Sequence, residues 1–200
     1  MSERQTAQTP ERLVTVEDSV ALSGLLRATG YDVSQWGVGP TKTVESLWTE
    51  IANGESELVE VGGALMRRTY ALGVDIVAEV DGTRYKLRED RQVFRNGSER
   101  RRTLPTSIGE KARPDEDMEA GVRRAIAEEL GIHEYVRLTD NGSATLVRYS
   151  QTYGGMPTEM HMRYAEVEIV SADFRPEGYV EEQAEKSIYF VWEPVQSAMQ

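Results

Sequence analysis

Two adjacent carboxylates, Glu128 and Glu129, stand near the end of a segment rich in helix formers, Met118 to Leu130. Asp117 suits the N-cap of that helix, and Gly131 suits the left-handed position that ends it. Ala125, Glu128 and Glu129 are spaced i, i+3 and i+4 and so share one side, while Arg124 and Glu128 are spaced for an ion pair. Neighbouring carboxylates repel, and near a helix C-terminus each also opposes the helix dipole at a cost of ~0.3–1 kcal/mol. A bound divalent cation removes the conflict, because hard oxygen donors are what Mg²⁺ prefers. Taken alone, the pair reads more readily as two solvated surface acids.

The surrounding spacing decides between these readings. Glu116 and Arg124 are separated by seven residues, and Ile126, Glu128, Glu129, Gly131 and Ile132 follow at fixed intervals. Upstream lie Leu104-Pro105, Gly109-Glu110-Lys111 and Arg113-Pro114-Asp115-Glu116. Together these resemble the Nudix box, G-x5-E-x7-R-E-U-x-E-E-x-G-U with U a bulky aliphatic residue, over Leu104 to Ile132. Two positions depart from it. The opening Gly falls on Glu110, with Gly109 one place earlier, and the acid that follows the motif Arg is Ala125.

The resemblance implies an enzyme that uses Mg²⁺ (or Mn²⁺) to hydrolyse a pyrophosphate linkage in a nucleoside diphosphate derivative. It implies Glu128, Glu129 and the Gly109 carbonyl as metal ligands. Glu116 then either supports the helix by pairing with Arg124, a structural residue, or takes part in binding. Glu159, expected in a loop beyond the box, is the candidate for the acid that Ala125 cannot supply, with Glu110 second. Ala125 also motivates the alternative, a Nudix-fold nucleotide-binding or regulatory module without hydrolysis. Arg101 and Arg102, in the run before the box loop, could fork onto phosphate oxygens. His133 and His161 have no partner at metal-ligand spacing, and no role is assigned to them.

These groups must be carried by a layered domain. Ala71 to Val80 is a β-type run followed by the turn Asp81-Gly82, and Asn96-Gly97 is a second turn signal. Strands are predicted at Ala144 to Tyr149, Met160 to Val170 and Ser187 to Trp192. Before them two helices are predicted, roughly Asp18 to Thr29 and Thr43 to Asn53, the second with Val44, Leu47, Trp48 and Ile51 on one face. Residues 1 to about 12 are polar and expected to fray. The expected fold is α+β, an α/β/α sandwich on a Nudix-like mixed sheet at 66–195, preceded by a small helical N-terminal extension at 1–65. The helices' apolar stripes are expected to dock on the second domain or on another subunit, which makes a homodimer an expectation.

Bulk composition narrows the partners. The 200 residues contain 34 acids against 23 bases, a formal net charge of −11. That argues against nucleic acid, whose phosphates demand a positive surface, and leaves a small phosphorylated molecule as the expected partner. No Cys is present, which excludes disulfides, thiol catalysis and thiolate metal sites. No apolar run is long enough to span a membrane, and the polar start lacks a signal core. A cytoplasmic protein is expected.

Overall fold

The computed structural model describes residues 11–195; the expected fraying of residues 1–10 falls outside them. Two compact units divide the chain. One takes residues up to 70 together with 145–161, and the other takes 71–144 together with 162 onward.

The first unit opens with β1 (Glu11–Val14), where the sequence predicts a frayed end, and continues through α1 (Ser19–Ala28), α2 (Val44–Ala52) and β2 (Ser56–Val61). β1 runs antiparallel to β2, and β2 antiparallel to the first part of β3 (Ala64–Val80). The 1–65 segment is therefore not helical throughout. Both helices start as their caps require: the Asp18 carboxylate accepts from Ala21 N at 2.7 Å, and the Thr43 hydroxyl accepts from Ser46 N at 3.0 Å. Their apolar stripes converge on a core of Leu22, Leu26, Leu47, Leu58, Leu65, Tyr153 and Met156. Tyr153 and Met156 lie in the stretch that the sequence assigns to the second domain, yet they share one compact unit with the helices.

The second unit begins with the rest of β3, which pairs with β4 (Thr83–Phe94) across the Asp81-Gly82 turn. Both turn residues have positive φ, 49° and 73°, the pairing that a tight twisted hairpin needs. β5 (Glu99–Arg100) pairs with β4, and β6 (Ile108–Lys111) pairs with β3. Then come α3 (Met118–Leu130), β7 (Tyr135–Tyr149), β8 (Pro157–Ile169), β9 (Tyr179–Glu182) and β10 (Lys186–Pro194). β10 lies between β4 and β9, antiparallel to both. The strands β3, β7 and β8 pass from one unit into the other. β7 starts at Tyr135, well before the predicted Ala144. Gly142 has φ of 87° and Asp140 accepts its N–H, yet the strand continues through them.

The fold is α+β, with a mostly antiparallel sheet. α3 is the one α-helix of the second unit among the described residues, so the second helical layer of an α/β/α sandwich is not found there. It lays Val122, Ala125, Ile126 and Leu130 on Leu72, Val74, Ile76, Leu87, Val167 and Ile188. Burial of this stripe fixes which way the remaining α3 side chains point, because apolar area removed from water contributes ~25 cal/mol per Å².

Candidate functional site

α3 is bounded as its sequence dictates. The Asp117 carboxylate accepts from Ala120 N at 3.1 Å, and Gly131 terminates the helix with φ of 67°. Arg124 ties the helix to the preceding loop. It donates to the Glu116 carboxylate at 3.1 and 3.2 Å and to the Lys111 carbonyl at 2.9 Å. The Arg124 guanidinium therefore holds the Glu116 carboxyl below the usual carboxylate range. Arg163 adds a donor to the Glu116 carbonyl at 2.8 Å. Glu116 and Arg124 thus form the clamp that the sequence offers as one of their roles.

The loop before β6 is pinned by Ser107. Its buried hydroxyl accepts from Ile76 N at 2.9 Å and donates to the Leu87 carbonyl, while its N–H donates to Asp75 at 3.1 Å. This sets Gly109 and Glu110 along one edge of a cleft of about 120 Å³, whose other walls include Glu129, Glu89, Arg102, Glu181 and Lys186. Gly109 lines the cleft, and the space beside its Cα is open: a methyl group there would meet nothing within 4 Å.

Electrostatics mark Glu129 as the unusual group. Burial pushes its carboxyl up to about 8, reinforced by Glu181, Glu110 and Glu89 and opposed by Arg102. Arg102 does not cancel this crowding, because it forks onto Glu89 with contacts of 2.8 and 2.7 Å. Glu89 is itself only 2% exposed while Arg102 reaches solvent, so removing Arg102 would strand the Glu89 charge. Lys186 makes no ion pair among the described residues.

Of the residues singled out in the sequence, the cleft brings together Gly109, Glu110, Glu129 and Arg102. Glu128 is exposed and pairs loosely with Arg124 at 3.4 Å, so the two adjacent acids point to different surroundings. Arg101 pairs with Asp90. Glu159 is not in a loop. It lies within β8, in the other compact unit, where it pairs with Arg68 at 2.7 Å and with His161. Burial would raise the Glu159 carboxyl, but those two partners hold it below the ordinary range. Ala125 is fully buried in the core of its unit.

Glu89, Glu181 and Lys186 are the charged cleft residues that sequence reasoning did not identify. Glu89 carried a signal: it stands two residues after Leu87 on one strand, so an acid occupies the inward-facing parity. Glu181 and Lys186 carried none, because they reach the cleft through the β9/β10 pairing. Among the described residues, no three carboxylate or imidazole groups converge closely enough to hold an ion as they stand. The donor chemistry nevertheless suits a hard cation: carboxylates of Glu129, Glu110 and Glu181 and a glycine carbonyl, with too little positive charge to balance them.

No protein-family profile matches the chain, and no curated protein matches it in sequence. Among solved structures it is similar to a C. elegans Ap4A hydrolase, at 18% identity over 62% of this chain and 77% of that chain, with a TM-score of 0.33. It is similar to the NUDIX domain of Shewanella oneidensis NrtR complexed with ADP ribose, at 12% identity over 62% and 71%, TM-score 0.37. An ADP compounds hydrolase aligns at 16% identity over 70% and 68%, TM-score 0.36. At this level of identity and superposition the likeness carries no functional argument for this chain.

Proposed function

We propose that the chain is a Mg²⁺- or Mn²⁺-dependent hydrolase of the Nudix type, cleaving a pyrophosphate linkage in a nucleoside diphosphate derivative. The observation that carries this reading is the convergence of Glu129, Glu110, Glu181 and Glu89 on one cleft, where burial and the neighbouring acids raise the Glu129 carboxyl. An acid cluster of this kind is unfavourable in water alone and becomes favourable when a divalent cation neutralises it. Glu129, Glu110, Glu181 and the Gly109 carbonyl would hold the ion. A divalent ion so bound supplies Lewis-acid stabilisation to a phosphoryl group.

The chain's own residues do the rest. The cleft, at about 120 Å³, admits an ion and a phosphoryl group but not a nucleoside, so the organic parts of a substrate lie outside it. Lys186 donates to a phosphate oxygen at the cleft wall. Arg102 acts chiefly by fixing Glu89, and the Glu116–Arg124 pair keeps the loop and α3 in register. A carboxylate among Glu129, Glu110 and Glu181 accepts the proton of the attacking water.

Ala125 favours a second reading, the binding module without turnover, because the acid that this position carries in the resembled motif is replaced by a core methyl. One assay separates the two. Turnover is measured with Mg²⁺ and with Mn²⁺ across nucleoside diphosphate conjugates and dinucleoside polyphosphates, in parallel with metal uptake by calorimetry. Turnover abolished by Glu129→Gln supports the hydrolase. Thermal stabilisation by the same compounds without turnover supports the module, and absence of both metal uptake and stabilisation sinks the two together.

A further inference from the structure

The first compact unit has a cavity of its own, of about 300 Å³, with Arg67, Arg148, Ser150, Thr158 and Met160 among its lining residues. Arg67 is held rigidly. Its Nε donates to the Ser56 hydroxyl at 3.0 Å, its Nη2 donates to the buried Glu50 at 2.6 Å, and its plane lies over the Tyr153 ring at 5.1 Å. Its Nη1 meets no acceptor among the described residues. Arg148 is freer still: its one polar contact is from Nη2 to the Met160 thioether at 3.7 Å, with no carboxylate partner among the described residues. Two guanidiniums with unmet donors therefore line one cavity.

The local charge runs against that of the whole chain. Lys42 also reaches Glu50, at 2.7 Å, and approaches the Tyr153 ring. The walls of the cavity carry Arg67 and Arg148 and no carboxylate among the described residues, in a protein of net charge −11. Forked guanidinium donors match the oxygens of a phosphate group. The volume is at the lower end of small-molecule pockets, with room for more than a bare ion, and Met160 offers a soft apolar wall.

We propose that this cavity binds a small phosphate monoester, with Arg67 and Arg148 donating to the phosphate oxygens and Met160 against the organic part. The site is lined by residues of the first unit and needs no divalent ion. Calorimetry with phenyl phosphate on the full chain in EDTA, which silences any metal-dependent uptake, is expected to show one site. Arg148→Ala, at an exposed position, is expected to weaken binding about tenfold or more. Arg12→Ala, which removes an exposed cation of the same unit outside the cavity, is expected to leave it unchanged. Inorganic phosphate is expected to bind more weakly than phenyl phosphate, and benzoate more weakly than both. No uptake at millimolar phenyl phosphate, equal loss in the two variants, or benzoate binding as tightly as phenyl phosphate would each overturn the proposal.

Discussion

Replacing Glu129 by Gln tests the electrostatics of the acidic cleft directly. In the folded chain the Glu129 carboxyl is raised from 4.5 to about 8; unfolded, it returns to its ordinary value. A raised folded value means that the contribution is fully present below the unfolded value and is lost as pH climbs through the folded one. Between pH 4.5 and about 8 the unfolded chain releases a proton that the folded chain keeps, so stability falls across that window and is flat above it. At ~1.4 kcal/mol per pH unit the full interval corresponds to about 5 kcal/mol. Water entering the open cleft and small side-chain shifts reduce that to roughly 2–3 kcal/mol.

Gln matches the protonated acid in shape and cannot ionise. The variant is therefore expected to equal the wild type at pH 4 and to exceed it by roughly 2–3 kcal/mol at pH 9, or roughly 5–10 °C in Tm for a chain of this size. Urea unfolding of metal-free protein at several pH values gives the comparison, and the effect of the overall net charge cancels between the two proteins. Millimolar Mg²⁺ is expected to raise the wild-type midpoint at pH 9 and to leave the variant nearly unmoved, since ligand binding stabilises only the form that binds. A difference between the two proteins that stays constant from pH 4 to pH 9 would refute the reasoning, whatever its size.

Other substitutions probe separate parts of the structure. Lys42 and Arg67 hold the Glu50 carboxyl at about 2 despite its burial, so its stabilisation is present above pH 4.5 and lost as pH falls through 2; Glu50→Gln is expected to cost roughly 3 kcal/mol at pH 7 by leaving Arg67 buried without its partner, read as a fall in urea midpoint that shrinks in acid. Gly178→Ala is expected to prevent stable folding, because a methyl there would meet the Phe190 carbonyl at 1.9 Å at a φ of 86°, whereas Gly131→Ala, in open space at the left-handed end of α3, costs about 1 kcal/mol; circular dichroism melts distinguish them. Ala125→Glu is expected to destabilise by roughly 3 kcal/mol or more, by placing a carboxylate in the core, and to add no turnover beyond that of the wild type; a well-folded variant with raised activity would contradict this.

Local chemistry made much of the structure legible in advance. Asp18, Thr43 and Asp117 cap the helices predicted to follow them, and Asp81-Gly82 makes the hairpin it predicts. These signals lie within a few residues of what they determine. What the sequence concealed depends on pairing between distant segments. β2 reads Ser-Glu-Leu-Val-Glu-Val, a short mixed pattern that becomes a strand only because β1 and β3 flank it. Glu159 looks like a turn residue beside Pro157, and β8 absorbs both.

The acidic helix shows the same limit at the scale of one side chain. Spacing of i, i+3 and i+4 places Ala125, Glu128 and Glu129 on one side, but successive residues still differ by about 100° around an α-helix. With Ala125 buried against the sheet, Glu129 turns to one flank of the stripe and enters the cleft, while Glu128 turns to the other and meets Arg124 and solvent. Burial of position 125 thus divides the acid pair, and the cleft draws its other carboxylates from strands: Glu110 on β6, Glu89 on β4 and Glu181 on β9. A count of acids along α3 therefore misjudges the site. The charge that matters is assembled around Glu129 by strand pairing, so removing Glu181 should lower the Glu129 carboxyl toward its ordinary value, and removing Glu128 should leave it where it is.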